Sequence, residues 1–187
     1  KLIMALSKID VANMLTGTIP VDNSKSGSVL QVQSTLVTSN YSQSVTANTD
    51  TAIDNLTVNI TPSSTSNKIM LFGRHIGEGS TVETYNAVYF FFRDSTKINS
   101  ASASGSRLTG MNVNFQGYGG QDAASTMDGM SMFTIDASHN STSQITYKIG
   151  IKLANSMTLY TNRTVNNTDN TSHELATSEI IAMEIKG

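Results

Sequence analysis

Apolar residues occupy every second position at Ile145, Tyr147, Ile149, Ile151 and Leu153. That is the repeat of a strand with one buried face. Leu56, Val58 and Ile60 alternate in the same way within Asn55–Ile60 and are predicted to point inward. Val29, Leu30, Val32, Leu36 and Val37 mark a strand near the start of the body. Met130, Met132, Phe133 and Ile135 mark another, and so do Met157–Tyr160 and Ser178–Ile185. Two runs are apolar without alternation, Ile69-Met70-Leu71-Phe72 and Ala87-Val88-Tyr89-Phe90-Phe91-Phe92, and read as buried strands. Turn chemistry separates these segments: Thr61–Lys68 is rich in Ser, Thr and Asn, Arg93-Asp94-Ser95 follows the densest run, and Asn155-Ser156 makes a tight turn. The count is about eight strands with no helix between them, which predicts an all-β sandwich or jelly roll. The strong closing strand is expected at the centre of its sheet rather than at an open edge.

Ahead of Gly27 the pattern changes. Leu2, Leu6, Ile9 and Asn13 fall on one side of a short helix that Gly17 and Pro20 would end. Isolated helices under ~12–15 residues do not persist in water, so such an arm needs a partner. Residues 1–26 therefore read as an N-terminal arm, and residues 27–187 as one domain long enough to bury a core. Leu2, Leu6, Ile9, Leu15 and Ile19 are the arm's candidate anchors, since each offers an apolar side chain worth roughly 1.5–3 kcal/mol on burial.

Composition narrows the picture. Hydrophobic residues make up 38% and charged residues 14%, below the usual ~45–50% and ~25%. Ser, Thr and Asn fill the difference, at about a third of the chain. This predicts a sandwich with polar faces and long loops, and the grouping of apolar residues into alternating runs argues against disorder. A net charge of −2 favours neither nucleic acid nor an anionic membrane. No stretch approaches the ~20 apolar residues of a membrane span, and Leu2–Leu6 is too short for a secretory signal. With no cysteine there is neither a disulfide framework nor a thiolate metal site. The sequons at Asn40-Tyr41-Ser42 and Asn55-Leu56-Thr57 are expected by chance in so Asn- and Ser/Thr-rich a chain.

Candidate chemistry is sparse. His75, in Arg74-His75-Ile76-Gly77-Glu78, has a carboxylate nearby in sequence, but no nucleophile with an oriented base accompanies it. A surface or loop-packing histidine at a strand end is the expectation. His139 and His173 lie in polar loops without zinc-ligand spacing. Asp122 and Asp128 would have to lie ~5–9.5 Å apart to act as a glycosidase pair, and loop aspartates more often form turns. Asn166-Asn167-Thr168-Asp169-Asn170 is rich in oxygen but carries one carboxylate, too little for a tight calcium loop. No cofactor, metal or catalytic residue is expected. The Gly-rich loop from Gly117 to Asp128 is the candidate contact surface: Tyr118 can stack on a sugar while Gln121 and Asp122 hydrogen-bond it. The plainer reading is a subunit-interface loop or a merely flexible one.

Three segments carry a resemblance. They are Gly27-Ser28-Val29-Leu30-Gln31-Val32, Ile60-Thr61-Pro62-Ser63-Ser64 with Ser66-Asn67-Lys68-Ile69, and Ala176-Thr177-Ser178-Glu179-Ile180-Ile181-Ala182-Met183-Glu184-Ile185. In order and separation they resemble the C-terminal β-domain of bacteriophage virion fibre and tail-fibre-type proteins of the marine phage type. Met4-Ala5-Leu6-Ser7-Lys8-Ile9 and Leu15-Thr16-Gly17-Thr18-Ile19-Pro20 resemble the start and connector of such proteins. The arm departs from that pattern where Val21–Gly27 replaces the usual Gly-Gly-Thr-Gly run.

The resemblance implies a jelly-roll-like antiparallel β-sandwich, homotrimeric, on the exterior of a phage particle, with no catalytic residues. The implied role is an appendage that binds a cell-surface receptor, a host glycan among the candidates, while the arm docks on other virion proteins. A capsid decoration or cement protein would use the same head and arm. A secreted carbohydrate-binding module is a further alternative that fits the arm less well. A head poor in charge, with Thr/Ser-rich strand faces, is expected to bury polar surface against copies of itself in a closed symmetry.

Overall fold

The computed structural model describes residues 23–81, 86–113 and 124–187. Among them are eleven strands and no α-helix: β1 (Val29–Val37), β2 (Tyr41–Val45), β3 (Thr51–Ile60), β4 (Lys68–Gly79), β5 (Ala87–Arg93), β6 (Thr96–Ile98), β7 (Asn112–Val113), β8 (Asp128–Asp136), β9 (Ile145–Leu153), β10 (Met157–Thr161) and β11 (Ser178–Ile185). The eight predicted strands are all present. Sequence reading passed over β2, β6 and β7. The helix expected before Gly17 lies outside the described residues.

Every pairing is antiparallel. Sheet A runs β1-β11-β4-β10-β2, with β8 added to β4, and sheet B runs β3-β9-β5-β6, with β7 added to β5. The chain crosses between the sheets repeatedly, from β2 to β3 to β4 to β5 and again from β7 to β8 to β9 to β10, which gives a jelly-roll-like β-sandwich. The closing strand β11 is central, between β1 and β4, as expected.

β4 organises sheet A. One of its edges is shared: β11 takes residues 68–74 and β10 takes residues 77–79, while β8 runs along the other edge. The break between β11 and β10 would leave the backbone of Ile76 unpaired. Asn162, buried at a φ of 61°, closes it by donating its N–H to the Ile76 carbonyl at 2.8 Å. Ser178 Oγ accepts the Ile76 N–H at 3.0 Å and donates to Asn162 Oδ1 at 2.7 Å. No buried backbone group is left open there.

The core lies between the sheets. Ile69, Leu71, Ile180, Ala182 and Leu159 of sheet A face Tyr89, Phe91, Tyr147, Ile149, Ile151 and Val58 of sheet B, all buried. Leu56 and Ile60 are buried with Val58, as the alternation predicted. Asn55, at a φ of 62°, lies in the register shift between Ala52 and Thr57, where β3 bends against β9.

The two outer faces differ. On sheet B, Phe90 and Phe92 point away from the core yet are buried. Their rings meet edge to face, with centroids 5.1 Å apart. Lys97 lies 3.9 Å over the Phe90 ring and donates to the Thr109 carbonyl, which ties the 99–111 segment across this face. Gly150 makes the packing possible, since a Cβ there would lie 2.5 Å from Phe90 Cε2. Among the described residues sheet A carries no such cover. Val32, Leu36, Phe72, Phe133 and Ile135 stand exposed on its outer face, so the expectation of polar faces fails here.

Candidate functional site

The arm anchors Leu2, Leu6, Ile9, Leu15 and Ile19 lie outside the described residues. So do Tyr118, Gln121 and Asp122. The proposed pairing of Asp122 with Asp128 likewise falls outside them. Asp128 itself opens β8 opposite Gly77 and is half-buried.

His75 is a correction. It sits within β4, not at a strand end or on the surface, and its ring is buried in the core. Nε2 lies 3.1 Å from Thr161 Oγ1, and the ring centroid is 5.9 Å from that of Tyr89. Burial lowers its pKa to about 4, so the ring is neutral at ordinary pH. Glu78, three residues on, has the opposite parity along the strand. It lies on the outer side, where it accepts the Val165 N–H at 2.7 Å. The strand thus places the two groups on opposite faces of sheet A. His139 is also buried: its Nε2 meets the Asn67 carbonyl at 2.9 Å. Among the described residues no group of three His, Asp or Glu side chains is placed to hold a metal. The Asn166–Asn170 loop borders a shallow hollow of about 300 Å³, with Glu174 and His173 on its other side.

Two polar clusters do structural work. Asp136, buried, receives two hydrogen bonds from Arg93 Nη1 at 3.0 Å and one from Tyr147 Oη at 2.8 Å, which joins β8 to β5 and β9 across the sandwich. Glu184, also buried, collects four donors: Gln31 Nε2 at 2.7 Å, the Ser63 N–H at 2.7 Å, Ser63 Oγ at 2.8 Å and Asn67 Nδ2 at 2.5 Å. Burial alone would push its carboxyl up. The bonds from Gln31, Asn67 and Ser63 outweigh that and hold it below the ordinary range. Gln31, Ser63 with Asn67, and Glu184 each come from a different one of the three segments that carry the family resemblance. Those segments are parts of one device, set where the chain leaves the arm. There Gly27 donates to the Lys186 carbonyl at 2.8 Å and Lys186 to the Ser28 carbonyl at 2.9 Å.

The outer face of sheet A is an exposed surface rich in apolar side chains. Strand register sets its rows: Val32, Met183, Met70 and Ile135 lie side by side, then Ser34, Ile181, Phe72 and Phe133, then Leu36, Glu179, Arg74 and Ser131. Phe72 and Phe133 stack with centroids 6.2 Å apart, and Phe133 is 72% exposed. A hollow of about 280 Å³ opens beside them, walled by Ile181, Met132, Arg74 and Glu179. Arg74 Nη2 donates to Thr177 Oγ1 at 3.0 Å, but Nε has no hydrogen-bond partner among the described residues. Glu179, its cross-strand neighbour, enters no ion pair among them. The face thus presents apolar side chains beside a cation and a carboxylate that form no ion pair among the described residues. Sequence reading missed it. The available signal was the non-alternating run at 69–72 and its counterpart at 180–183. Compared with known proteins, the chain matches no family model and no curated sequence.

Proposed function

We propose that this chain is a phage virion structural protein: a β-sandwich head on an N-terminal arm, forming a trimeric fibre or tail-fibre-type appendage on the particle exterior. It binds a cell-surface receptor without catalysis. The observation that supports this most is the Glu184 network. The three segments of family resemblance meet there in one buried cluster, so what they share is a unit of structure and not a scatter of short matches. That unit clamps the head at the root of the arm, the layout of a part held at one end. Virion proteins are the arm's partners, through Leu2, Leu6, Ile9, Leu15 and Ile19. A host glycan is the proposed ligand of Tyr118, Gln121 and Asp122.

Locating the protein on intact virions by cryo-electron microscopy tests the reading. Heads at the tail or its fibres are expected. Heads on the capsid shell would transfer the chain to the decoration proteins, and absence from purified particles would reject both. Deleting residues 1–20 should leave a folded head that no longer joins particles. Tyr118→Ala should leave assembly intact and weaken cell attachment.

A further inference from the structure

We infer that the outer face of sheet A is the surface on which copies of this chain meet. The inference rests on the proposed function only for the number of copies, three.

The area fits such an occupant. Strands β1, β11, β4 and β8, ~4.8 Å apart and about eight residues long, present on the order of 500 Å² in projection. The accessible area is larger because Phe133 stands clear of the sheet. A specific interface takes ~800 Å² per partner, so this face supplies most of one. Its apolar part falls within the ~300–600 Å² that the largest, often functional, apolar patch of a monomer reaches.

The charges fit a second copy. Glu179 and Arg74 lie side by side in one row, negative toward β1 and positive toward β8. A rotation axis parallel to the strands keeps each row at its own height. It brings the β8 side of one copy against the β1 side of the next, so Arg74 of one meets Glu179 of its neighbour. Each then gains an ion partner that neither has among the described residues of its own chain. Apolar rows fill the remainder of the contact, with Phe133 as its most prominent side chain.

The β8 edge of the same sheet is closed to association. β8 is its outermost strand beside β4, and free edges pair readily with other chains. Two side chains block this one: Asn112 Nδ2 of β7 donates to the Ser131 carbonyl at 2.8 Å, and Asn99 Nδ2, just past β6, to the Ile135 carbonyl at 3.0 Å.

Light scattering on the full chain at micromolar concentration tests this. The expected mass is three times the 20.0 kDa of one chain. Phe133→Asp should return a monomer with an unchanged far-ultraviolet dichroism spectrum. Arg74→Glu and Glu179→Arg should each weaken association at least tenfold, and the double exchange should restore it. That restoration decides the matter even if Phe133→Asp fails to fold. A wild-type dimer disrupted by the same changes would support the face and remove the trimer. An oligomer indifferent to all of them overturns the face and leaves the trimeric reading standing. A wild-type monomer overturns both.

Discussion

Asn67 Nδ2 donates to Glu184 Oε1 at 2.5 Å, joining the turn before β4 to the penultimate residue of β11. The bond is one of four on a carboxylate that is 1% exposed. A buried acceptor with this many donors matters chiefly through what its loss leaves behind, since each orphaned donor keeps its desolvation cost.

Glu184→Ala should therefore destabilise the domain by about 3 kcal/mol, read from the midpoint of urea unfolding. Glu184→Gln should do little better, because its amide turns a donor toward donors. The carboxyl is held below its ordinary pKa, so its contribution is fully present above that ordinary value and fades as pH falls through the lowered one. A Gln variant as stable as wild type at neutral pH would show that the charge is immaterial.

His75 sets a separate and earlier acid limit. Its pKa falls from the ordinary 6.5 to about 4 on burial. The folded state then binds fewer protons than the unfolded one between those values. Its stability is complete above 6.5, declines as pH falls toward about 4, and levels off below, a loss of about 3 kcal/mol. Unfolding midpoints measured across that range should show the decline in wild type and lose most of it in His75→Gln. An equal slope in both would place the titration elsewhere.

Arg93→Ala removes the guanidinium from a carboxylate that stays buried beside Tyr147. Breaking one side of such a pair typically costs about 3–5 kcal/mol, reduced here because Arg93 itself is partly exposed. Asp136→Asn in the same background should recover part of that loss by removing the stranded charge. Chemical denaturation of the two variants checks it, and no recovery would mean that Asp136 is not the stranded group.

Gly150→Ala should cost about 1–3 kcal/mol as an overpacking change, since the added Cβ falls 2.5 Å from Phe90 and 2.7 Å from Phe92. Thermal unfolding would register it. A neutral result would mean that the rings and the 99–111 segment above them give way freely.

Most of the fold was legible because alternation reports burial directly. β2 escaped because Tyr41-Ser42-Gln43-Ser44-Val45 is mostly polar, and its place comes from pairing with β10, which no local signal carries. β6 and β7 are too short for any period to show. The apolar face escaped for a different reason. Ile69–Phe72 and Ala87–Phe92 give the same unbroken apolar signal, and both read as buried. Among the described residues β5 has a segment of chain laid over its second face and β4 has none, so Phe90 is covered while Phe72 is not. Whether a second apolar face is covered from within is decided by a loop elsewhere in the chain. His75 was misplaced because the strand that begins at Ile69 was read as ending at about His75, whereas β4 continues to Gly79.

The register of β1 against β11 has a mechanical consequence. Val29 pairs with Ile185 and Val37 with Ser178, so the two strands overlap along their whole lengths. A pull on the arm directed along β1 would load those hydrogen bonds together in shear and could not peel them one at a time. The strand would have to slide past β11 while dragging Gln31 out of the Glu184 cluster. Full overlap of the two strands thus makes β1 harder to draw out along its own axis than a strand that can be peeled from one end.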